Sequence, residues 1–84
     1  MNWKIQLSRR AIKDIKNLDE PIKIRVWESI INMLKHPESV DIKKLKGKSR
    51  EYRLRVGDWR VRFQVDYTQK TYLITHVKHR RDTY

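Results

Sequence analysis

Four arginines within one short stretch pose the chemical question. The run Tyr52-Arg53-Leu54-Arg55-Val56-Gly57-Asp58-Trp59-Arg60-Val61-Arg62-Phe63 alternates apolar and basic residues on either side of Gly57-Asp58. That pair predicts a two-residue hairpin turn, with Gly supplying the positive φ that such turns need. The turn fixes the register. Val56 opposes Trp59, Arg55 opposes Arg60, Leu54 opposes Val61, Arg53 opposes Arg62, and Tyr52 opposes Phe63. One face of the hairpin is apolar; the other carries four arginines as two directly opposed pairs. Like charges facing each other across strands are destabilising. At a separation of ~5 Å in water each pair costs on the order of 1 kcal/mol. A merely solvated face is more easily built from lysine and from mixed signs. Arginine instead offers a planar fork that binds phosphate bidentately, so the arrangement reads as a preformed phosphate cradle.

The charge of the whole chain agrees. Its 84 residues hold 21 Lys and Arg against 10 Asp and Glu, a net charge of +11 with a sequence pI near 10.3. Residues 1–42 carry 8 basic and 6 acidic side chains, net +2, whereas residues 43–84 carry 13 and 4, net +9. A basic half joined to a near-neutral half suggests a docking surface for a polyanion, nucleic acid first. An anionic membrane surface calls for a basic amphipathic helix, and here the excess lies in expected strands and a loop. There is no cysteine, which excludes disulfides and thiolate metal sites. Met1 to Ile5 shows no signal-peptide pattern, and no apolar run approaches a membrane span. A single cytoplasmic domain over residues 1–84 is expected, with no membrane association. A domain of this size buries only roughly 60% of its unfolded surface, so its core must be economical.

Other elements must hold the hairpin in place. Trp3, Ile5 and Leu7 alternate in an opening strand over Asn2 to Leu7. Ser8 is placed to cap a helix in which Ala11, Ile12, Ile15 and Leu18 recur at helical spacing. Asp19-Glu20-Pro21 starts a second helix, acidic cap first and proline in the first turn. Ile22, Val26, Ile30 and Met33 form its stripe, widened by Trp27, Ile31 and Leu34. It ends by His36, because Pro37 disfavours helical geometry in the residue before it. Glu38 to Arg50 reads as a loop anchored by Val40, Ile42 and Leu45 and bearing Lys43, Lys44, Lys46 and Lys48. Thr71 to Val77 reads as a last, central strand after a turn at Tyr67-Thr68-Gln69-Lys70. Strict alternation puts Tyr72, Ile74 and His76 on the apolar face and Leu73, Thr75 and Val77 on the arginine face. The expectation is an α+β fold ordered β-α-α-β-β-β, with two N-terminal helices on one face of a mainly antiparallel sheet. His76 is then a structural histidine. No metal is assigned, since His76, Lys78 and His79 lack further ligands at metal-like spacing.

The runs Leu45-Lys46-Gly47, Tyr52 to Val61 and His79-Arg80-Arg81-Asp82-Thr83-Tyr84 resemble the RelE/ParE superfamily of type II toxins, and the likeness extends over nearly the whole chain. The resemblance implies an RNA endonuclease of the RelE kind that cuts messenger RNA in the ribosomal decoding site and inhibits translation. It needs no cofactor, and its cognate partner is a RelB-like antitoxin with an acidic or amphipathic segment. By position, the family's catalytic residues fall on Arg53, Arg55, Arg60, Arg80 and Tyr84. The lysines Lys43, Lys44, Lys46 and Lys48, with Arg62, His79 and Arg81, would contact RNA and the ribosome. The chain departs from the best-known family pattern at residues 53 and 55, where that pattern has lysines. Arginine does not release its proton near neutrality, so neither residue serves as a general base. Tyr84 and His79 are the candidate proton acceptors, and Tyr84 could alternatively stack on a base. Two other functions stay open on the residues alone: a ParE-like inhibitor of DNA gyrase, and a non-catalytic nucleic-acid-binding module.

Overall fold

The computed structural model describes residues 3–47 and 50–82. Strand β1 (Lys4–Leu7) leads into α1 (Arg9–Lys16) and α2 (Glu20–Lys35), followed by β2 (Asp41–Lys44), β3 (Glu51–Val56), β4 (Trp59–Asp66) and β5 (Thr71–His79). The five strands form one sheet in the order β1-β5-β4-β3-β2, antiparallel throughout except for the parallel pair β1–β5.

Each helix begins and ends where its residues demand. The Ser8 hydroxyl accepts from the Ala11 N–H at 3.0 Å and donates to the Thr75 carbonyl at 3.0 Å. One side chain thus caps α1 and ties it to β5, supplying a partner for an otherwise orphaned helix N–H. In α2, Pro21 sits in the first turn, and the helix stops at Lys35 with Pro37 two residues on. Asp19 occupies the cap position there without a side-chain capping bond.

Ala11 and Ile15 of α1 and Val26, Ile30 and Met33 of α2 pack with Leu54, Val56, Val61, Phe63, Val65, Ile74 and Val77 in one core. Two residues of the expected stripes are not core: Ile12 is 51% and Ile31 46% exposed. Each helix lies on a single sheet face, so residues at the margin of its stripe are turned toward solvent.

The sheet corrects the sequence reading twice. First, the stretch expected to be a loop contains β2, which pairs Lys43 with Arg53 and Lys44 with Tyr52. Of its four residues only Ile42 is not fully exposed, so the alternation that marks a strand is absent from this edge. Second, β5 carries an irregularity. Phe63 pairs with Ile74, but Arg62 pairs with His76 and Val61 with Val77, leaving Thr75 as the extra residue. The Thr75 hydroxyl donates to the Arg62 carbonyl at 3.1 Å. Beyond this bulge the two faces exchange: Val77 is buried in the core, and His76 joins the arginine face. The parallel partner β1 ends at Leu7, opposite Ile74. Past that point the outer edge of β5 is met by α1, where the Asp14 carboxylate accepts from the Val77 N–H at 3.0 Å.

Candidate nucleic-acid interface

The sheet face opposite the helices presents two transverse rows. One runs Lys43, Arg53, Arg62, His76 and the other Asp41, Arg55, Arg60, Lys78. Neighbouring strands lie ~4.8 Å apart, so each row is a line of charges at contact spacing. The opposed pairs Arg53–Arg62 and Arg55–Arg60 have the register that the Gly57-Asp58 turn requires, with Gly57 at φ 59°.

The four hairpin arginines are not equivalent. Glu51 Oε1 accepts from Arg62 Nε at 3.1 Å and lies 3.0 Å from Arg62 Nη2, with both side chains largely buried. Arg62 is thus neutralised within the protein and acts as a fixed wall. Arg60 instead turns back on the hairpin, Nη1 donating to the carbonyls of Gly57 at 2.9 Å and Trp59 at 3.0 Å. Its pKa is lowered by burial first, then by the charges of Arg53, Arg55 and Arg80, while Asp58 opposes the shift. An arginine so perturbed still keeps its proton near neutrality. The same neighbours define the cluster: Arg53, Arg55 and Arg60 share the open face of the hairpin, and Arg80 lies within electrostatic reach of Arg60. Arg80 arrives there because its N–H donates to the Asp58 carbonyl at 2.7 Å, with its Nε 3.7 Å from the Asp58 carboxylate. The short helical turn Arg80–Asp82 is thereby fixed against the β3–β4 turn. Arg53 Nε is buried, and no acceptor among the described residues reaches it. A buried guanidinium N–H without an acceptor is costly, so Arg53 is held among these cations at the expense of stability.

The remaining expected contacts divide. Lys43 stands in the arginine row, whereas Lys44, paired with Tyr52, points to the helix-bearing face. Lys46 and Arg81 are exposed. The His79 ring meets Trp59 edge-on with centroids 5.2 Å apart, and its Nδ1 accepts from the Arg81 N–H at 3.3 Å. Lys48 and Tyr84 lie outside the described residues. His76 is the residue the sequence reading misplaced. Its Nδ1 lies 3.1 Å from the Thr75 hydroxyl. Its pKa is lowered, by burial first and then by Arg10, with Lys78 and Arg62 adding to the effect and Asp14 opposing it. A neutral imidazole therefore stands beside the cationic row. The signal was present in the sequence, since Ile74 and Val77 are core-type residues three apart, a spacing that uninterrupted strand alternation does not allow.

Known proteins share this fold. The family described as ParE toxin of type II toxin-antitoxin system, parDE, matches residues 5–84. Toxin RelE3 of Methanocaldococcus jannaschii is 31% identical over 86 residues, covering 96% of this chain and 94% of that protein. A chain of the RelB-RelE antitoxin-toxin complex from Methanococcus jannaschii superposes with a TM-score of 0.78 at 27% identity, covering 94% of this chain and 98% of that one. A chain of the archaeal RelE-RelB complex from Pyrococcus horikoshii gives 0.79 at 26% identity, covering 99% and 100%. With the family matched along almost its whole length and the sheet, helices and basic hairpin in place, the chain belongs to the RelE/ParE family of type II toxins.

Proposed function

We propose that this toxin is a ribosome-dependent RNA endonuclease that cuts message in the decoding site and is held inactive by a RelB-like antitoxin. It would work in the cytoplasm, where translating ribosomes are found. The observation that carries this reading is the set of opposed arginines Arg53, Arg55 and Arg60 on the open face of the hairpin, with Arg80 fixed against its turn. The names of the relatives support RelE chemistry over gyrase inhibition.

In the proposed reaction the 2′-oxygen of one nucleotide attacks the adjacent phosphorus. Its proton passes to a base, the bond from phosphorus to the 5′-oxygen breaks, and that oxygen takes up a proton. The products are a 2′,3′-cyclic phosphate and a 5′-hydroxyl. The phosphorane gains negative charge on the way, so fixed cations aimed at it lower the barrier without reorganising. Arg53, Arg55, Arg60 and Arg80 fill that role, and Arg62, bound to Glu51, holds the sheet edge of the cradle. The groups of this chain suited to exchanging the two protons are His79, the family-position Tyr84, and His76, kept neutral by its surroundings. Lys43, Lys46, Lys48, His79 and Arg81 are the proposed contacts to message and ribosomal RNA, while Lys44 faces away and Arg62 is engaged by Glu51. A chain with so few reacting groups gains from a ribosome that positions the substrate.

The test is to incubate the purified toxin with ribosomes programmed with message and map the new 5′ ends by primer extension, with naked RNA in parallel. Cleavage on the ribosome with little on free RNA is expected. Gyrase-dependent DNA breaks in cells, with no cut message, would overturn the reading.

A further inference from the structure

Beyond the arginine rows the open face continues to a second, differently charged recess. Its volume is about 240 Å³, and its walls are Gln6 of β1, Gln64 of β4, Leu73 of β5, Gln69 of the β4–β5 turn, Arg50 and Asp66. Gln64 and Leu73 pair across the sheet, and Gln6 pairs with Leu73, so the three share one transverse line. That line is the open-face row next to the one containing Arg62. Gln64 lies two residues from Arg62 and four from Arg60 along β4, which at ~3.4 Å per residue is about 7 and about 14 Å.

The recess is rigidly walled. The Gln69 N–H donates to the Asp66 carboxylate at 3.0 Å, and the Gln69 carbonyl accepts from the Thr71 hydroxyl at 3.0 Å. The Lys4 N–H donates to the Lys70 carbonyl and the Val65 N–H to the Arg50 carbonyl, both at 3.0 Å. The turn and the residue facing it are therefore fixed to the sheet on both sides. The side-chain amides of Gln6, Gln64 and Gln69 have no hydrogen-bond partner among the described residues. One arginine and one aspartate leave the recess close to neutral, unlike the cradle beside it. A site for phosphate would collect cations; this one collects carboxamides around an apolar floor.

Resting on the RNA-cutting reading, we infer that this recess receives a nucleobase of the message whose backbone lies on the arginine cluster. The occupant is one planar ring. The volume falls below the roughly 300 Å³ at which pockets for larger ligands begin. Leu73 underlies the ring face, and the Arg50 guanidinium offers a plane for stacking. A carboxamide presents a donor and an acceptor side by side, which matches the edge of a base and selects among bases. The recess thus supplies sequence preference and the cradle supplies chemistry, at two places on one sheet.

Two measurements on the intact toxin test this. In the first, the isotope-labelled protein is titrated with each of the four nucleoside 5′-monophosphates, with ribose 5-phosphate as the control. Amide signals of Gln64, Gln69 and Leu73 are expected to shift with the nucleotides, unequally among bases, and not with ribose 5-phosphate. Gln64→Leu should remove those shifts, and Gln69→Leu provides a second variant at a turn position. In the second, cut sites on ribosome-bound message are mapped for wild type and Gln64→Leu. The base preference at one position of the cut site is expected to change about five-fold or more, the effect of a lost bidentate contact, while total cutting persists. Base-independent shifts, or shifts shared with ribose 5-phosphate, would overturn the inference, as would an unchanged cut map. If the wild-type protein cuts nothing but its base-dependent shifts remain, the endonuclease reading fails and the base site stands.

Discussion

Replacing Arg60 with glutamine should make the isolated protein more stable and the toxin inert. Arg60 directly opposes Arg55 and feels Arg53 and Arg80 as well. With side chains ~5 Å apart at their roots, and the dielectric of water for these partly exposed groups, the opposed pair repels by about 0.8 kcal/mol. Of the other two partners, Arg53 weighs on Arg60 at least as much as Arg55 does and Arg80 less, and together they add about 0.5–1 kcal/mol at low salt. Against this relief stand the bonds from Arg60 to the carbonyls of Gly57 and Trp59. Both carbonyls lie near solvent, so their loss costs about 0.5–1 kcal/mol together once water replaces the donor. The net gain is about 0.8 kcal/mol at low salt, or about 3–6 °C in melting temperature for a domain of this size. The signature is salt dependence. The repulsive part disappears as the screening length falls from about 30 Å at 0.01 M to about 3 Å at 1 M salt, whereas the hydrogen-bond part remains. Urea unfolding of both proteins across that range should show the advantage of Arg60→Gln shrinking and then reversing, with an unchanged slope against denaturant. Message cleavage and growth inhibition should meanwhile fall by about 10²-fold or more, as when one transition-state donor is lost. A variant that is less stable at low salt, or whose advantage ignores salt, would refute the claim that these cations repel one another in the free protein. A folded variant of undiminished toxicity would refute their role in the chemistry.

Further expectations concern single groups. Because His76 has a native pKa below its ordinary value of 6.5, the unfolded chain takes up the proton first. Stability should be level above pH 6.5 and decline as pH falls from there toward the native pKa; His76→Gln should lose that part of the decline, read as unfolding midpoints at pH 7.5 and 5.5. Gly57→Ala should cost about 1–2 kcal/mol, because the residue sits at φ 59°. An added Cβ would also lie 2.8 Å from Arg25 Nη2, the movable end of a flexible side chain, so combining it with Arg25→Ala should recover little in an unfolding assay and leave the backbone part. Tyr84→Phe separates two proposed roles: a phenolate base predicts a fall of roughly 10²–10⁴-fold in the single-turnover rate with unchanged ribosome affinity. Normal cutting by Tyr84→Phe, with loss in Tyr84→Ala, would assign the ring to stacking.

What could be read in advance was what covalent geometry dictates locally. A two-residue turn leaves one register, so the pairing of Arg53 with Arg62 and Arg55 with Arg60 followed from Gly57-Asp58 alone. Helix ends were similarly legible at Ser8 and Pro37, where side-chain and ring chemistry act on the neighbouring backbone. What escaped depended on partners distant in sequence. The residues of β2 carry no strand pattern of their own and are extended because β3 offers an edge. The number of acids in the basic half was plain, but not that Glu51 would meet Arg62. Glu51 is paired with Gln64, and only the pleat of the sheet brings its carboxylate diagonally onto the guanidinium.

The bulge at Thr75 shows why one such local irregularity matters for the site. With strict alternation, Val77 would stand among arginines and His76 in the core, an apolar group exposed and an imidazole desolvated. Inserting one residue corrects both at once, and its structural requirements are met locally. The Thr75 hydroxyl bonds to the Arg62 carbonyl, and Asp14 takes the Val77 N–H at the edge that β1 no longer covers. The same insertion shifts the register of the segment that follows, so that Trp59 pairs with His79 and Arg80 begins directly after the strand. From there the Arg80 N–H reaches the Asp58 carbonyl, and its guanidinium joins Arg60. Without the extra residue, the side chains after Ile74 would fall on opposite faces, and Arg80 would meet the turn one position out of step. The fourth cation of the cluster is therefore set by a bulge five residues from it, which ties the geometry of the proposed cradle to the packing of Val77 on the other side of the sheet.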